Sequence, residues 1–445
     1  MALTSACGDG GSGGSSNPPA STFQRIQEQV FDVSCSSDAC HSSVGRAGDL
    51  VLEEGASWDH LVNTVPSNPI SYLHGYMRVM PGTPEMSLLM HKLTNSLSAG
   101  EGRGMPYNAA PLVPGTVEII NAWIAAGAPA EGVVDGDDGR DLTGGVDEGE
   151  LILAPPPRGV QLKTTSPAIP MGMEETGCHY MKLPSDVDLE VNRIQVAVTG
   201  GSHHIHIYRA NDKNHTEADR YEVCNMAVNF DVWQLVVAVQ LRRTDWELPP
   251  GVAFHFRAGE QLLIQTHFVN VGSLETQGEG KAIMNLHDAE PGTITANAGA
   301  IFGQDKDVFV PAHSNPTQAA ECEFPNPITL IGQSGHYHFR GRRFQTYFWY
   351  NGVRGDEFYH HEGYDDPLFA AYDLATAPHF EAGHGLQWEC YFENPTDTDF
   401  PFGPFTDTNE HCNWFGFYYP TQTPDEFMTC VKKDGVAVTT VRNQQ

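Results

Sequence analysis

The stretch Gln261-Leu-Leu-Ile-Gln-Thr-His-Phe-Val269 is a short apolar run of the kind that forms a buried β-strand. Two further runs are similar, Arg193-Ile-Gln-Val-Ala-Val-Thr199 and Arg343-Phe-Gln-Thr-Tyr-Phe-Trp-Tyr350. From about residue 152 onward, such runs alternate with Gly, Pro, Asn and Asp and show few helical periods. This pattern is typical of antiparallel sandwiches, and roughly 290 residues are enough for two. We therefore predict two β-sandwich domains, over residues 152–305 and 306–445.

The part of the chain before these strands carries helix signals instead. Residues 23–130 include Val117-Glu-Ile-Ile-Asn-Ala-Trp-Ile-Ala-Ala-Gly127, where apolar side chains recur at helical spacing until a Gly-Ala-Pro sequence. This pattern predicts a small all-α domain. Residues 131–151 are rich in acidic residues and glycine and have no apolar period, so we expect a solvated acidic linker there.

The charge of the chain excludes some classes of partner. Its 445 residues include 56 Asp and Glu against 25 Lys and Arg, which gives a formal net charge of −31. This charge repels phosphate backbones and anionic head groups, so nucleic acid is not an expected partner. No stretch approaches the ~20 apolar residues that a transmembrane helix needs.

The first 22 residues predict a flexible tether. Met1-Ala-Leu-Thr-Ser-Ala-Cys7 precedes a Gly/Ser-rich spacer that has little to bury. The segment resembles the end of a bacterial lipoprotein signal, although Thr4 stands where a leucine is expected. The resemblance implies an exported protein, in the periplasm or at the cell surface, attached to the membrane only through a lipid on Cys7. The nine cysteines also favour an oxidising compartment.

A segment of the helical domain predicts a covalent haem. Ser34-Cys-Ser-Ser-Asp-Ala-Cys-His41 places two thiols before a histidine. Attachment of a c-type haem needs two Cys for the vinyl groups and an adjacent His for the iron. The usual gap between the two cysteines is two residues, whereas Cys35 and Cys40 are separated by four. A local disulfide would also explain this pair.

Residues 25–129 resemble the small cytochrome c modules of exported bacterial proteins, in which the four-residue gap occurs. Those modules have a Met-Pro before a Pro-rich loop and a final Trp-containing helix, and here Met105-Pro106 holds that position. The resemblance implies one covalent haem with a His/Met iron, which favours electron transfer over oxygen chemistry. Its ligands would be Cys35, Cys40, His41 and Met105, with Met80, Met86, Met90 and His91 as alternatives to Met105.

Three histidine-containing segments of the β region are candidate metal sites. They are Gly201-Ser-His-His-Ile-His-Ile-Tyr208, Gln265-Thr-His267 and Gly335-His-Tyr-His-Phe339. Side chains two positions apart on a strand share a face, so His336 and His338 can chelate one ion. By the same geometry His204 and His206 would form a pair, and His203 would face away.

Residues 152–435 resemble the type II copper, ascorbate-dependent monooxygenases, which include peptidylglycine α-hydroxylating monooxygenase and dopamine β-monooxygenase. The His-His pair, the Gln-x-His strand, the His-x-His pair and Asn409-Glu-His-Cys-Asn413 follow in the order of that family. The resemblance implies two jelly-roll domains that each hold one copper ion and face each other across a solvent-filled gap. The implied first site is His203, His204 and His267, with His206 in reserve, and the implied catalytic site is His336, His338 and His411.

The same resemblance implies the pairing of six cysteines. The expected disulfides are Cys178–Cys224, Cys322–Cys430 and Cys390–Cys412.

Two departures from the family affect the expected chemistry. His411 stands where the family has a methionine, and a third imidazole suits Cu(II), Zn or Ni as well as Cu(I), whereas a thioether favours Cu(I). Ser334 stands where a peptide-amidating enzyme would have an Arg, so glycine-extended peptides are not expected substrates.

The leading hypothesis is an exported copper monooxygenase that hydroxylates a small organic substrate with O2. An ascorbate-like reductant or a redox protein would supply electrons, which would enter through the haem. One alternative is a copper-binding electron-transfer or metal-handling protein without hydroxylase activity. Another is an interaction module in which the metals are only structural.

Overall fold

The structure is a computed structural model. It describes residues 21–37, 40–98, 100–107, 111–143, 151–170, 173–224, 228–269, 279–338, 340–363, 367–403 and 408–443, apart from the side chains of His203 and Val269. The predicted tether with Cys7 lies outside these residues. No helix in the described part of the chain is long and apolar enough to cross a membrane.

Short helices form one unit near the start of the chain. They are α1 (Thr22–Ile26), a π-helical turn (Gln27–Phe31), α2 (Asp32–Ser34), α3 (Ser57–Leu61), α4 (Pro69–Leu73), α5 (Leu88–Leu93) and α6 (Pro114–Ala125), with 3-10 turns at Ala47–Asp49 and Pro84–Met86. Helix α6 contains most of the predicted periodic run and starts at Pro114, whose fixed φ suits a first helical turn. Its Trp123 is fully buried and shares a core with Ile26 and Phe31.

Residues 131–143 pack against this helical unit and do not form the solvated linker that the composition predicted. Val134 and Leu142 are buried in the helical core. Asp137 pairs with Arg25 and accepts a hydrogen bond from Thr22 Oγ1 at 2.7 Å. The segment is mostly exposed, as its composition predicts, but two apolar side chains and one ion pair attach it to the helical unit. Residues 144–150 of the predicted linker lie outside the described residues.

The first β unit consists of two sheets. The strands are β1 (Gly159–Ala168), β2 (Glu174–Lys182), β3 (Leu189–Val198), β4 (Ser202–Ala210), β5 (Arg220–Val223), β6 (Trp233–Val239), β7 (Arg243–Glu247), β8 (Val252–Phe256), β9 (Gln261–Val269), β10 (Glu279–Asp288) and β11 (Ala296–Asn297). One sheet has the order β1-β10-β3-β8-β11 with β7 beside β3, and the other has the order β5-β2-β9-β4-β6. All pairs are antiparallel except β8 with β11. Ile194 and Met284 of one sheet share a core with Ile207 and Ile264 of the other, so the two sheets form a sandwich.

The second β unit is also built from two main sheets. The strands are β12 (Gly299–Asp305), β13 (Phe309–Val310), β14 (Thr317–Glu323), β15 (Ile328–His336), β16 (Gly341–Tyr350), β17 (Val353–Glu362), β18 (Ala370–Ala371), β19 (His379–Phe380), β20 (His384–Phe392), β21 (Phe400–Pro401), β22 (Cys412–Tyr419), β23 (Phe427–Lys433) and β24 (Val436–Arg442). One sheet has the order β18-β15-β22-β12-β23-β24, with β19 beside β15, and the other has the order β14-β20-β16-β17. Strand β13 pairs with β21.

The boundary between the β units differs from the predicted one near residue 305. Strand β12 pairs with β22 and β23 of the second unit, whereas β11 pairs with β8 of the first. The change of unit therefore falls at residue 298. Runs of apolar and small residues continue through this junction, so the sequence pattern alone does not mark it.

The central strand β22 of the seven-stranded sheet is buried on both faces. On β22, Trp414 and Tyr418 pack in the core of the second unit, while Phe415 and Phe417 pack in the core of the first. Successive side chains of a strand point to opposite faces, so one sheet serves both cores. At this contact the described side chains are packed and apolar, and the solvent-filled gap implied by the family resemblance is not present there.

Three disulfides link the strands, with the pairings predicted. Cys178–Cys224 ties β2 to the end of β5. Cys322–Cys430 and Cys390–Cys412 each connect the two main sheets of the second unit, through β14 to β23 and through β20 to β22. The second of these bonds holds the residue that directly follows His411.

Candidate metal centre

His336, His338 and His411 form one buried cluster, which we call the second trio. One nitrogen of each ring lies within 4.8 Å of the others. Their exposed fractions are 6%, 3% and 6%. Within the part of the chain that the structure describes, no other three His, Cys, Asp or Glu residues form such a group.

Strand pairing explains how this trio forms. His336 is the last residue of β15, and His411 directly precedes β22. The two strands are antiparallel neighbours in which His336 lies opposite Asn413. The ring centroids of His338 and His411 are 4.0 Å apart, and those of His336 and His411 are 4.6 Å apart. The sequence prediction had grouped these three residues, and the structure brings them together; their role as copper ligands stays a prediction.

The hydrogen bonding of His338 suits metal binding. Its Nδ1 lies 2.8 Å from the carbonyl oxygen of Asn409. A carbonyl oxygen only accepts, so Nδ1 carries the proton and the lone pair of Nε2 is directed to a ligand. Together with the rings of His336 and His411, the ring of His338 forms a set of three imidazoles that fits a copper ion.

A buried carboxylate, Glu410, supports the second trio. Its Oε1 accepts hydrogen bonds from the backbone N–H groups of His338, at 2.6 Å, and His411, at 3.0 Å. Burial raises the pKa of Glu410 to about 6, while the Arg340 guanidinium acts to lower it. Sequence reasoning missed Glu410, because nothing in the motif around it distinguishes a buried acid from a surface one.

A first histidine cluster lies on the β5-β2-β9-β4-β6 sheet. His204 of β4 lies opposite His267 of β9, with ring centroids 5.0 Å apart. The ring of His206 stacks on His204 with a centroid distance of 4.5 Å. Strand geometry therefore keeps His206 beside His204, as the period of two predicted. The side chain of His203 lies outside the described residues, and the predictions of His203 and of His206 as the third member both stand.

Strand β4 is irregular where the family's adjacent histidines would require it. Ser202 pairs with Phe268 and His204 pairs with His267, so β4 has one residue more than β9 at this point. Such a β-bulge interrupts the alternation of side chains between faces. Two adjacent histidines can bind the same ion only where the strand departs from ideal geometry, and this bulge is such a departure.

The two clusters meet across the junction of the β units. The ring centroid of His204 lies 6.0 Å from that of His336, in an edge-to-face arrangement. On the opposite side of the first cluster, Glu174 at the start of β2 lies 3.1 Å from Nε2 of His267. Glu174 was not predicted. The family resemblance implied that the two sites face each other across a solvent-filled gap, whereas the rings of His204 and His336 are in direct contact.

Residues 291–441 match the family model for the copper type II ascorbate-dependent monooxygenase, C-terminal domain. The matched segment contains the whole second trio and its supporting Glu410, and it ends one residue before the end of β24. It supports this copper monooxygenase family in general, and with it a copper-dependent oxidoreductase. The first histidine cluster and the helical unit lie outside the matched residues.

Other likenesses are weak. No curated protein matches the chain. The structure of VP54 of PBCV-1, fitted into a reconstruction of the virophage Sputnik, is 8% identical, with 65% of this chain and 98% of that chain covered and a TM-score of 0.22. The PBCV-1 virus capsid model is 8% identical, with 60% and 91% covered and a TM-score of 0.18. TM-scores of this size bear on neither fold nor function.

The segment with the predicted haem ligands lies at the end of α2. Cys35 and Cys40 are not joined to each other, so the local disulfide that would have explained the pair is not formed. The Nδ1 of His41 lies 2.8 Å from the carbonyl oxygen of Ala47, and burial lowers the pKa of His41 to about 4. His41 is therefore a neutral imidazole with a proton on Nδ1. Two unbridged thiols beside such a ring fit covalent haem.

The candidates for the second axial ligand are spread over the helical unit. Met105 and the alternative Met90 both pack against the helical core. The backbone N–H of Met105 donates to the carbonyl of Lys92 at 2.8 Å. Both ring nitrogens of the alternative His91 have other partners, because Nε2 lies 2.9 Å from the carbonyl oxygen of Glu85 and Nδ1 lies 3.1 Å from Oγ of Ser96. Met86 is the last residue of the 3-10 turn Pro84–Met86, and Met80 lies shortly before that turn.

Glu174 acts electrostatically on the haem segment as well as contacting the first histidine cluster. Burial raises the pKa of the Cys40 thiol, a hydrogen bond with Ser37 acts to lower it, and the charge of Glu174 raises it further.

Proposed function

We propose that this protein is an exported copper monooxygenase that hydroxylates a small organic substrate with O2. The observation that carries the proposal is the second trio, three buried imidazoles within 4.8 Å of one another inside the segment that matches the family model. Three buried imidazoles whose ring nitrogens converge to this extent are a donor set that suits a copper ion.

The residues around the second trio would shape the reaction site. His336, His338 and His411 would hold one copper ion, and His204 and His267 with His203 or His206 would hold the other. When bound, the two ions supply the redox chemistry, since hydroxylation of a C–H bond by O2 consumes two electrons and two protons and releases one water. The carbonyl of Asn409 keeps the proton of His338 on Nδ1. The low exposure of the trio excludes bulk water, which strengthens electrostatic interactions at the site.

We also propose that electrons enter through the helical unit. Cys35, Cys40, His41 and Met105 would hold a c-type haem, which supplies single electrons when bound. Glu174 lies 3.1 Å from His267, and its charge also raises the pKa of the Cys40 thiol, which supports electron entry beside the first cluster. An ascorbate-like reductant or a redox protein would be the external donor. Export, with a lipid on Cys7, belongs to the same proposal.

Labelled oxygen tests the hydroxylase proposal directly. The full chain is loaded with copper, reduced with ascorbate and given 18O2 with a panel of small aromatic and aliphatic amines. We expect label in a hydroxylated product for at least one amine. His338→Ala removes a member of the trio and should abolish the product, whereas His379→Ala, at an exposed position on β19, should not. Consumption of O2 with no label in any organic product would contradict the proposal.

A second candidate function is electron transfer or metal handling by copper without hydroxylation. The observation that favours it is His411, because a third imidazole is a harder donor than the thioether of the family. This candidate predicts reversible copper reduction by ascorbate and no organic product in the same assay. Zinc at both sites, with no response to ascorbate, would instead support a purely structural role.

A further inference from the structure

A single carboxylate connects the two sequence segments that build the second trio. Oε1 of Glu410 accepts from the N–H of His338 at 2.6 Å and from the N–H of His411 at 3.0 Å. The segment after β15 and the residue before β22 are therefore joined at their histidines. Because both bonds end on one oxygen atom, a shift of the carboxylate moves both ligand backbones together.

Among the described residues, the guanidinium of Arg340 forms an ion pair with this carboxylate. Nη1 of Arg340 lies 3.6 Å from Oε2 of Glu410, and both side chains are almost completely buried. The guanidinium of Arg340 also lies over the ring of Phe400, 3.2 Å from its centroid. Oε1 of this buried carboxylate is hydrogen-bonded twice, whereas Oε2 has no hydrogen bond within the described part of the chain and faces the guanidinium at ion-pair distance. Hydrogen bonds to an ionised acceptor are also stronger and shorter than neutral ones.

We propose that Glu410 is a positioning residue of the second trio, which fixes the backbones of His338 and His411 so that their rings converge on one metal ion. This inference rests on the proposed function, because it assumes that the trio binds copper. The carboxylate touches no reacting atom and acts only through the two histidines. Outer residues that orient metal ligands contribute about 10- to 100-fold to metal affinity in proteins.

The test compares Glu410 with a matched buried carboxylate, Glu426. Glu426 accepts from the hydroxyl of Tyr418 at 2.6 Å and from the N–H of Gln422 at 3.2 Å, away from the trio. The variants Glu410→Ala and Glu426→Ala are loaded with Cu(II) as full chains. Copper affinity is measured by competition with a chelator, the Cu(II) site by electron paramagnetic resonance, and stability by thermal unfolding.

We expect Glu410→Ala to weaken one of the two copper sites by about 10- to 100-fold and to change the resonance of that copper alone. Glu426→Ala should lower the unfolding temperature while leaving both copper signals as in the wild type. A merely structural role for Glu410 would give the same result as Glu426, namely lower stability with unchanged copper binding, and would overturn the proposal.

Glu410→Gln keeps the test decisive if the alanine variant does not fold. Its amide oxygen can still accept from both N–H groups, but its NH2 group turns toward Arg340, so we expect a smaller loss of copper affinity at the same site. Wild-type affinity and an unchanged spectrum in Glu410→Gln and Glu410→Ala would overturn the inference. If the wild type binds copper at the trio but yields no labelled product, the hydroxylase proposal fails while the affinity comparison still decides the role of Glu410.

Discussion

The side-chain amide of Gln240 lies 3.4 Å from Nδ1 of His336. Gln240 directly follows β6 of the first β unit, and His336 ends β15 of the second. The same amide lies 3.3 Å from the carbonyl oxygen of Gly335. His336, a candidate ligand of the second trio, is therefore held partly by the first β unit. The geometry of the second trio thus depends on how the two β units are placed.

Replacing Gln240 should disturb the second trio from outside its own unit. The NH2 group of Gln240 donates to the carbonyl of Gly335 at 3.3 Å and so fixes the backbone next to His336, and a bond of this type contributes about 1 kcal/mol. We therefore expect Gln240→Ala to lower copper affinity at the second trio by about fivefold. Chelator competition measures this change. Gln234→Ala, at a buried glutamine on β6 that does not contact the trio, should leave the affinity as in the wild type. Equal losses in the two variants would contradict a specific role for Gln240.

His411→Met should change which oxidation state of copper the second trio prefers. A thioether is a softer donor than an imidazole and favours Cu(I). We expect the reduction potential of the copper at this site to rise and the ratio of Cu(I) to Cu(II) affinity to increase. Potentiometric titration followed by electron paramagnetic resonance measures both. His411→Ala is the control, and it should lose Cu(II) at this site without gaining a preference for Cu(I).

Oxygen use by His411→Met separates the two candidate functions. If the protein is a hydroxylase, a shift in potential should change the rate of labelled product formation. If it only handles copper or transfers electrons, oxygen consumption should be the same in His411→Met as in the wild type.

The secondary structure was largely predictable from local sequence, whereas the contacts between elements were not. The run from Gln261 to Val269 forms β9 with the same bounds. Helix α6 was predictable because its apolar side chains recur at a spacing that only a helix places on one face. Val134 and Leu142, in contrast, are isolated apolar residues in an acidic segment, and no pattern indicates that the helical core receives them.

The candidate metal centre likewise contains residues that local sequence predicted and residues that it did not. His336 and His338 share a strand face, so the strand period alone predicts them as a pair. His411 is more than 70 residues further along the chain. Only the resemblance to a family placed it with them. Glu410 and Gln240 act through contacts that arise when β15, β22 and β6 come together. Such contacts depend on sheet order and domain packing, which cannot be inferred from residue types alone.

Removal of the Cys390–Cys412 disulfide should affect both stability and copper binding. The bond closes a 22-residue separation, so its loss should lower the free energy of unfolding by about 3 kcal/mol in the loop-entropy account. Because Cys412 follows His411 directly, we expect the double variant Cys390→Ala, Cys412→Ala also to bind copper more weakly at the second trio.

The disulfide of the first unit provides the matched control for this prediction. Cys178–Cys224 closes a separation of 46 residues, and its loss should cost about 4 kcal/mol. It is distant in sequence from the second trio, so Cys178→Ala, Cys224→Ala should leave copper binding at that site unchanged. A similar loss of copper affinity in both double variants would show that the effect is one of general stability. Denaturant unfolding and chelator competition give the two quantities.

The first β unit should lose stability in mild acid because of His179 on β2. This residue is buried, with its Nε2 3.3 Å from the hydroxyl of Thr266 and its ring against Tyr221, whose own hydroxyl donates to Glu175. Burial lowers the pKa of His179 from 6.5 to about 4. As the pH falls through this range, the unfolded chain takes up a proton that the folded chain does not. The free energy of unfolding should then decrease between pH 6.5 and 4, by up to about 3 kcal/mol.

His179→Gln isolates this contribution, since glutamine can bond to Thr266 but does not titrate. Its free energy of unfolding should fall less than that of the wild type between pH 7 and pH 4, and the difference should be absent above pH 7, where His179 is neutral in both states. Hydrogen exchange of the β2 amides reports the stability of this unit specifically. His313→Gln replaces an exposed histidine of the second unit and should leave β2 exchange as in the wild type. Parallel pH profiles for the wild type and His179→Gln would show that protonation of His179 does not drive the acid instability of the first unit.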